Sequence, residues 1–288
     1  MKWEGNRQSS NVEDRRGSGG FGFGFGGRSI GIGTLLVALI GGMLFGIDPL
    51  TMLSMLAGDG GSVRQEQPAT PPPPEDANAA FVSTVLADTE DVWTMIMQKR
   101  GSSYREPGLV LFRGATFTSC GQGSAAMGPF YCAEDERIYL DLEFFDLMAN
   151  RLGARGDFAQ AYVIAHEVGH HLQNLLGISQ QVSHERAHLT SAKANALSVR
   201  VELQADCFAG VWAHHSQKSK GWLEEGDIEE ALNAAAQIGD DTLQRKSRHA
   251  VVPESFTHGT SSQRVRWFRQ GLQTGSIMQC DTLTTGNL

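Results

Sequence analysis

The chain has 288 residues with 32 acidic and 24 basic side chains, which gives a formal net charge of −8 at pH 7. This acidic balance argues against nucleic acid as a partner, because nucleic acid attracts a basic protein face. From Ala79 onward 210 residues remain, enough for one globular domain with a full core.

The first 28 residues are polar and rich in glycine, and Phe21, Phe23 and Phe25 alternate with glycines. Such a segment buries too little apolar surface for a packed core, so we predict a disordered tail over residues 1–28. Residues 48–78, which include four consecutive prolines, predict a Gly/Pro-rich linker. The domain itself is predicted to cover residues 79–288.

Between the tail and the linker, residues 29–47 form a run of nineteen residues without a charge. At about 1.5 Å per residue this run spans a hydrocarbon core of about 30 Å, which predicts a transmembrane signal anchor in contact with lipid. A cleaved signal peptide and a buried core helix are the alternatives. Five basic residues precede the run and only Arg64 follows it within residues 48–78, so the N-terminus is expected in the cytoplasm and the domain in the periplasm or outside the cell.

The pattern within the domain indicates strands first and helices afterwards. Residues 88–100 have helical spacing, whereas residues 109–112 and 137–140 read as strands separated by glycine-rich turns. From about Leu142 onward the chain reads as helical, with breaks near Gly153, Gly177, Gly221 and residues 253–259. This order predicts the α+β class, a mainly helical zincin-like domain with a small β-sheet. Five acidic residues are expected at solvated helix ends: Asp227, Glu229, Glu230, Asp240 and Asp241.

The most informative motif is H-E-x-x-H, formed by His166, Glu167 and His170 in a segment with apolar residues at helical spacing. Asp157 is a predicted N-cap of this helix, and Gly177 marks its end. Residues four apart lie on one helical face, so both imidazoles can aim at one point with Glu167 beside them. This arrangement is typical of hydrolytic zinc sites. The alternative is a buried helix whose histidines bond each other or nearby carbonyls.

A catalytic zinc ion requires a third protein ligand. The residues at the metzincin positions, Gln173 and Leu176, exclude that class. Thermolysin-like sites take a glutamate from a later helix, and Glu202 follows His170 by 32 residues in apolar surroundings.

We therefore predict one Zn²⁺ per chain, bound by His166, His170 and Glu202. Asp206, four residues after Glu202, is predicted to accept a hydrogen bond from a ligand imidazole. His184 and His188 compete with Glu202 as third ligand, but they lie in a polar run and are expected to be exposed.

These motifs resemble those of the bacterial neutral zinc metallopeptidases, single-pass membrane proteins with a gluzincin-like signature. The resemblance covers nearly the whole chain and implies peptidase chemistry. The segments that carry it are Met1-Lys2-Trp3, residues 11–17, 128–132, 166–171, 202–207, 256–259 and 280–282.

A second resemblance concerns residues near the end of the chain. Thr257-His258-Gly259 followed by Arg264 is similar to a Thr-His-Pro segment and arginine in membrane zinc endopeptidases that process other membrane proteins. By analogy, His258 donates a hydrogen bond to the oxyanion, where an added donor is worth about 2.7–4 kcal/mol. Arg264 holds the carboxylates of the site or the substrate backbone. The alternative for His258 is a capping or surface residue beside a glycine turn.

The expected activity is hydrolysis of peptide bonds in the cell envelope. Zinc lowers the pKa of water toward about 7, and Glu167 moves the proton from that water to the leaving amine. Residues 123–132 are a candidate for the exposed edge strand along which a peptide substrate aligns, and a core strand is the alternative. A non-catalytic, zinc-stabilised envelope scaffold or binding protein is the alternative function, and a zinc hydrolase acting on another amide is a third.

The chain contains four cysteines, Cys120, Cys132, Cys207 and Cys280, and none lies in a C-x-x-C pattern. In an oxidising compartment two disulfides are expected. Cys120–Cys132 is a local pair, which leaves Cys207–Cys280 to tie the chain's end to the helix of Glu202. This is one of three possible connectivities, and buried free thiols are the alternative.

Overall fold

The computed structural model describes residues 1–17, 70–125, 128–248, 251–286 and 288. These residues form six strands and eight α-helices, with short 3₁₀ or π segments at Met148–Leu152, Pro253–Ser255 and Ile277–Gln279. The strands are β1 (Val12–Asp14), β2 (Gly108–Phe112), β3 (Ala115–Thr118), β4 (Gly121–Ser124), β5 (Phe130–Cys132) and β6 (Arg137–Asp141). The helices are α1 (Ala77–Lys99), α2 (Glu143–Leu147), α3 (Asp157–Leu175), α4 (Ile178–Arg186), α5 (Ser191–Lys220), α6 (Asp227–Gln237), α7 (Asp240–Arg248) and α8 (Ser261–Thr274).

The main sheet has four strands in the order β1-β2-β6-β5. Strands β1, β2 and β6 are parallel, while β5 is antiparallel to β6 and forms an edge. Leu109, Leu111, Ile138 and Leu140 alternate along β2 and β6 and join the hydrophobic core that the helices share. Strands β3 and β4 form a separate antiparallel hairpin. The predicted α+β class, with a small sheet beside many helices, is therefore confirmed.

Helix α1 is longer than the sequence predicts, since it begins at Ala77 rather than near residue 88. Asp76 caps it by accepting a hydrogen bond from the Ala79 N–H at 3.0 Å. Its first turns are buried on several sides, so their sequence lacks the apolar stripe along one face by which an amphipathic helix is recognised. Helix α3 starts at Asp157, with Gly156 as its N-cap residue. The Asp157 carboxylate contacts the amino group of Met1 at 3.0 Å instead of capping the helix.

Residues 1–17 belong to the same folded unit as the helices. Strand β1 pairs with β2, and its Val12 is buried. Trp3 packs edge-on against Phe81 of α1 with ring centroids 5.3 Å apart. The predicted disordered tail is therefore wrong for residues 1–17, because distant parts of the chain supply the apolar and hydrogen-bonding partners that the local composition lacks.

Residues 18–28, the predicted transmembrane segment 29–47 and residues 48–69 lie outside the described residues. Within the described ranges, no helix combines the length and apolar character needed to cross a bilayer. The domain is not limited to residues 79–288, since β1 and the start of α1 belong to it as well.

Both predicted disulfides are present, Cys120–Cys132 and Cys207–Cys280. The second one links α5 to the segment after α8. The expectation of solvated acidic helix ends is wrong for Asp227, which is buried and lies 3.4 Å from the Met1 amino group.

Helices α3, α5 and α8 cross at small residues. A Cβ atom added to Gly169 of α3 would lie 2.9 Å from the Ala205 Cα of α5, and one added to Gly271 of α8 would lie 1.9 Å from the Cys207 carbonyl oxygen. The crossing at Gly169 brings α3, which carries the H-E-x-x-H motif, against α5, which carries Glu202 and Asp206.

We expect Gly271→Ala to lower the free energy of unfolding by about 1–3 kcal/mol, because the added methyl group overpacks the crossing of α8 and α5. Urea denaturation of the purified chain measures the change. Gln273→Ala, on an exposed position of the same helix, is the matched control and should stay within about 0.5 kcal/mol of wild type. Equal stabilities of the two variants would contradict the close approach.

Candidate metal centre

His166 and His170 of α3 converge with Glu202 of α5, and their ligand atoms all lie within 4.8 Å of one another. His166 Nε2 is 3.2 Å from Glu202 Oε2, and His170 Nε2 is 3.5 Å from Glu202 Oε1. The predicted set of ligands is therefore brought to one point. By contrast, His184 on α4 and His188 just after it are exposed, contact each other's rings and do not belong to this set.

The geometry of this set fits a zinc ion. Two imidazole nitrogens and one carboxylate are a common donor set for catalytic zinc. Bond lengths of about 2.0–2.2 Å in a tetrahedral site separate neighbouring ligand atoms by about 3.3 Å. The two measured separations, 3.2 and 3.5 Å, lie on either side of that value.

The other ring nitrogens of both histidines are engaged. His166 Nδ1 lies 2.8 Å from Asp206 Oδ1, as predicted for Asp206, and His170 Nδ1 lies 2.9 Å from Gln173 Oε1. Each Nδ1–H donates to its oxygen partner, which leaves the Nε2 lone pair for a metal.

Asp206 is the centre of a buried polar network. Arg264 binds it through Nε at 2.9 Å and Nη2 at 2.8 Å, and the Tyr162 hydroxyl donates to its Oδ1 at 2.5 Å. Arg264 also donates to the Tyr162 hydroxyl at 3.2 Å. The predicted role of Arg264 as a partner of the site's carboxylates thus has a geometric basis, whereas Tyr162 was missed. Its position four residues before His166, on the same helical face, is the sequence signal from which it could have been identified.

Burial raises the pKa of Asp206, but the charges of Arg264 and His166 outweigh burial and hold it at about 2. For His166, burial lowers the pKa, while Asp206 and Glu202 more than compensate and raise it to about 10. A metal ion that binds Nε2 would therefore displace a proton from it, because only the neutral ring is a ligand. The pKa of Glu202 is lowered, since the nearby His170 and His166 overcome the effect of its burial. Glu202 and Asp206 are therefore both ionised beside the two imidazoles. Their negative charges attract a divalent cation to this point.

Glu167 follows His166 directly on α3 and is buried. Burial raises its pKa, opposed by the charges of His170 and His166. A raised pKa brings a carboxylate closer to the range in which it can accept and release a proton.

His258 lies in the loop between α7 and α8, and Asp240 organises this loop. Asp240 Oδ2 accepts hydrogen bonds from the backbone N–H groups of Thr257, His258 and Gly259 at 2.7, 2.6 and 3.1 Å. Asp240 Oδ1 lies 3.3 Å from His258 Nδ1. The hydrogen bond to Asp240 raises the pKa of His258, partial desolvation opposes the increase and Glu202 adds to it. The imidazole itself is 51% exposed, so it is open to solvent as the surface alternative expects.

The expectation that Asp240 and Asp241 are solvated helix ends is therefore wrong. Asp241 accepts hydrogen bonds from the backbone and hydroxyl of Ser261 at 2.8 and 2.9 Å, at the start of α8. These hydrogen bonds could not be predicted from the sequence, because the partners are 17 to 20 residues away and no local pattern indicates that they are in contact.

The candidate substrate segment, residues 123–132, divides into two parts. Its beginning belongs to the β3–β4 hairpin, and its end is the edge strand β5. The Tyr131 hydroxyl of β5 donates to His171 Nδ1 at 2.9 Å, and His171 Nε2 donates to the Arg105 carbonyl at 2.6 Å. His171, which the sequence analysis left without a role, thus holds the edge strand beside α3.

A family model described as "Putative neutral zinc metallopeptidase" matches residues 1–283 of the chain. The chain is 51% identical over 288 residues to the protein YpfJ of Escherichia coli K12, and the match covers 98% of each chain. It is 40% identical over 226 residues to the protein Rv2575 of Mycobacterium tuberculosis H37Rv, a match that covers 74% of each chain. No solved structure matches the chain.

Proposed function

The chain belongs to the neutral zinc metallopeptidase family, and we propose that it hydrolyses peptide bonds at a single zinc ion bound by His166, His170 and Glu202. The observation that carries this proposal is the convergence of the three ligands with the buried Glu167 beside them. A structural metal site needs no such base, so Glu167 favours an enzyme over the zinc-stabilised scaffold.

When bound, the zinc ion would act as a Lewis acid toward the substrate carbonyl and the attacking water. The Glu167 carboxylate accepts the proton of that water and passes it to the leaving amine nitrogen. Asp206 and Gln173 hold the two imidazoles in the tautomer that presents Nε2. Arg264 and Tyr162 in turn keep Asp206 charged and oriented.

His258 is proposed as the donor that stabilises the oxyanion. Asp240 Oδ1 accepts from Nδ1–H at 3.3 Å and raises the pKa of His258, and the protonated ring keeps a second hydrogen on Nε2 that can be donated. The Thr257 hydroxyl lies 3.0 Å from the same Nδ1. The positive charge of His258 is among the factors that lower the pKa of Glu202, after His170 and His166, which supports a position on the same side of the site.

We expect His258→Ala to lower kcat about 10²–10³-fold with little change in zinc content, since removal of one oxyanion donor has an effect of this size. Steady-state kinetics and metal analysis of the purified variant provide the measurement. His184→Ala, an exposed histidine on α4, serves as the control and should behave like wild type. Unchanged kcat in His258→Ala would exclude His258 as the oxyanion donor.

The substrate class proposed is a peptide or protein in extended conformation. Among the residues that the structure describes, strand β5 is the last strand of the main sheet, and Tyr131 fixes it to α3 through His171. A substrate strand would add to β5 through backbone hydrogen bonds, as in β-augmentation.

The proposed location is the cell envelope, with attachment to the membrane through residues 29–47. Two disulfides support an oxidising compartment for the folded domain. The length and apolar character of residues 29–47 support the attachment.

The proposal is tested with purified chain and an unfolded protein as substrate. We expect one zinc ion per chain, proteolysis that a chelator abolishes, and recovery on addition of zinc. Glu202→Gln should lose zinc together with activity. A fully folded wild type that binds no zinc would overturn the proposed centre.

A further inference from the structure

Gln173 stands out among buried residues near the centre because it contacts both ligand-bearing helices. It lies on α3 and is almost fully buried. Its Oε1 is 2.9 Å from His170 Nδ1, while its Nε2 donates to the Val201 carbonyl at 2.7 Å. Val201 directly precedes the ligand Glu202 on α5. One amide group therefore joins a ligand imidazole to the backbone beside the carboxylate ligand.

The contacts continue from Gln173 to the end of the chain. Gln173 Nε2 also lies 3.1 Å from Gln204 Oε1, and Gln204 Nε2 donates to the Cys280 carbonyl at 3.0 Å. Cys280 is held to α5 by its disulfide with Cys207. Gln204 donates its N–H to the Cys280 carbonyl, so its oxygen is turned toward Gln173 and accepts from the Gln173 amide nitrogen. The Gln173 oxygen is thereby turned toward His170 Nδ1, where it can only accept a hydrogen bond.

We propose that Gln173 is a positioning residue for zinc: it fixes His170 in the tautomer that presents Nε2, and Gln204 and the Cys280 carbonyl fix the orientation of Gln173. This inference rests on the zinc site of the proposed function. His166 is oriented by a charged carboxylate, whereas His170 is oriented by a neutral amide whose own direction depends on the disulfide-linked chain end.

Two substitutions separate positioning from packing. Gln173→Met and Gln173→Glu both remove the N–H donors to Val201 and Gln204, but only Glu retains an acceptor for His170 Nδ1–H. Zinc affinity is measured by competition with a chelator on the full chain, together with the thermal stability of the metal-free form.

We expect Gln173→Met to bind zinc about 10–100-fold more weakly and Gln173→Glu to stay near wild type, the usual effect of losing or keeping an outer-shell partner. Gln204→Met should have an intermediate effect. Gln180→Met, at an exposed position on α4, is the control. Wild-type zinc affinity in a folded Gln173→Met, or equal losses in the Met and Glu variants, would overturn the inference. Zinc binding without proteolysis in wild type would instead refute the proposed function and leave the positioning role intact.

An independent observation concerns the N-terminal residues and the membrane. Strand β1 forms parallel backbone pairs with β2, Val12 with Leu109 and Asp14 with Leu111. The Asp14 N–H also donates to the Thr70 carbonyl at 2.7 Å. Arg16 forms an ion pair with Asp76 at 2.6 Å, at the start of α1.

We infer that residues 1–17 and the metal centre lie on the same side of the membrane. A single crossing at residues 29–47 would put β1 on the opposite side from β2, and hydrogen-bonded strands cannot be separated by a bilayer. The orientation predicted from the basic residues, with the N-terminus in the cytoplasm and the domain outside, conflicts with this pairing, so residues 29–47 would attach the chain to lipid without a single crossing. The two disulfides then favour the non-cytoplasmic side for both parts.

Cysteine labelling in the full chain tests this inference. Gln8→Cys and Ser103→Cys introduce thiols at exposed positions of the N-terminal segment and of the domain. A membrane-impermeant maleimide on intact spheroplasts should label both or neither, and after lysis both. Labelling of one position before lysis and of the other only after it would overturn the inference.

A stability measurement tests separately whether residues 1–17 are part of the folded domain. Val12→Asp should lower the thermal stability of the purified chain because Val12 is buried in the sheet, while the exposed Ser10→Asp should not. Equal melting temperatures for Val12→Asp and wild type would identify residues 1–17 as a free tail and overturn the inference.

Discussion

Glu167→Gln is expected to reduce peptide hydrolysis by about 10²–10⁴-fold while the chain keeps its zinc. The amide is nearly isosteric with the carboxylate but cannot accept a proton from the attacking water. Because Glu167 is not among the three ligands, the metal should remain bound. The measurement combines kinetics on an unfolded protein with metal analysis of the same preparation.

Glu185→Gln, an exposed position on α4, is the matched control for this substitution. Full activity in Glu167→Gln would remove Glu167 from the chemistry. If wild type and Glu167→Gln both bind zinc but neither cleaves unfolded protein or proteins of envelope extracts, the result supports a non-catalytic, zinc-stabilised scaffold. Comparison of envelope proteins with and without this chain would then identify substrates of the active form.

Arg264→Met should lower the free energy of unfolding of the metal-free chain by about 3–5 kcal/mol. The substitution removes the guanidinium that makes two hydrogen bonds to the buried Asp206 carboxylate, while the methionine fills a similar volume. Urea denaturation at neutral pH measures the loss. Arg266→Met, at an exposed position of the same helix, should change stability by no more than about 0.5 kcal/mol. Similar losses in the two variants would contradict the importance of the buried pair.

The pH dependence of this effect has a definite sign. The pKa of Asp206 falls from 3.8 to about 2 on folding, so its stabilising contribution is present above pH 3.8 and is lost as the pH falls through about 2. The stability difference between wild type and Arg264→Met should therefore shrink as the pH is lowered below 3.8. A difference that stays constant down to pH 2 would exclude Asp206 as its source.

Local patterns predicted the parts of the site that depend on one helix. His166 and His170 share a face because residues four apart on any α-helix do so, and Glu202 and Asp206 share one for the same reason. The strands near residues 109–112 and 137–140 were also predictable from short apolar runs. The disulfide pairing followed from a local pair that leaves only one further combination.

Other predictions failed where the partner lies far away in the chain. The N-terminal seventeen residues look unable to fold, yet β2 supplies a strand for them and α1 supplies an apolar surface. Asp240 looks like a solvated helix end, yet the loop of His258 supplies three N–H donors. In both cases the composition of the segment gives no information about its neighbours in space.

The residue types that could hold zinc are evident from the amino-acid pattern, because helical periodicity places two imidazoles on one face and a later carboxylate on another. The folded arrangement brings these faces together, since their approach depends on the close crossing of α3 and α5 at Gly169 and Ala205. It also decided the hydrogen-bond partners of the ligands, Asp206 and Gln173, because hydrogen bonds require contact over about 3 Å and sequence separation does not report that distance.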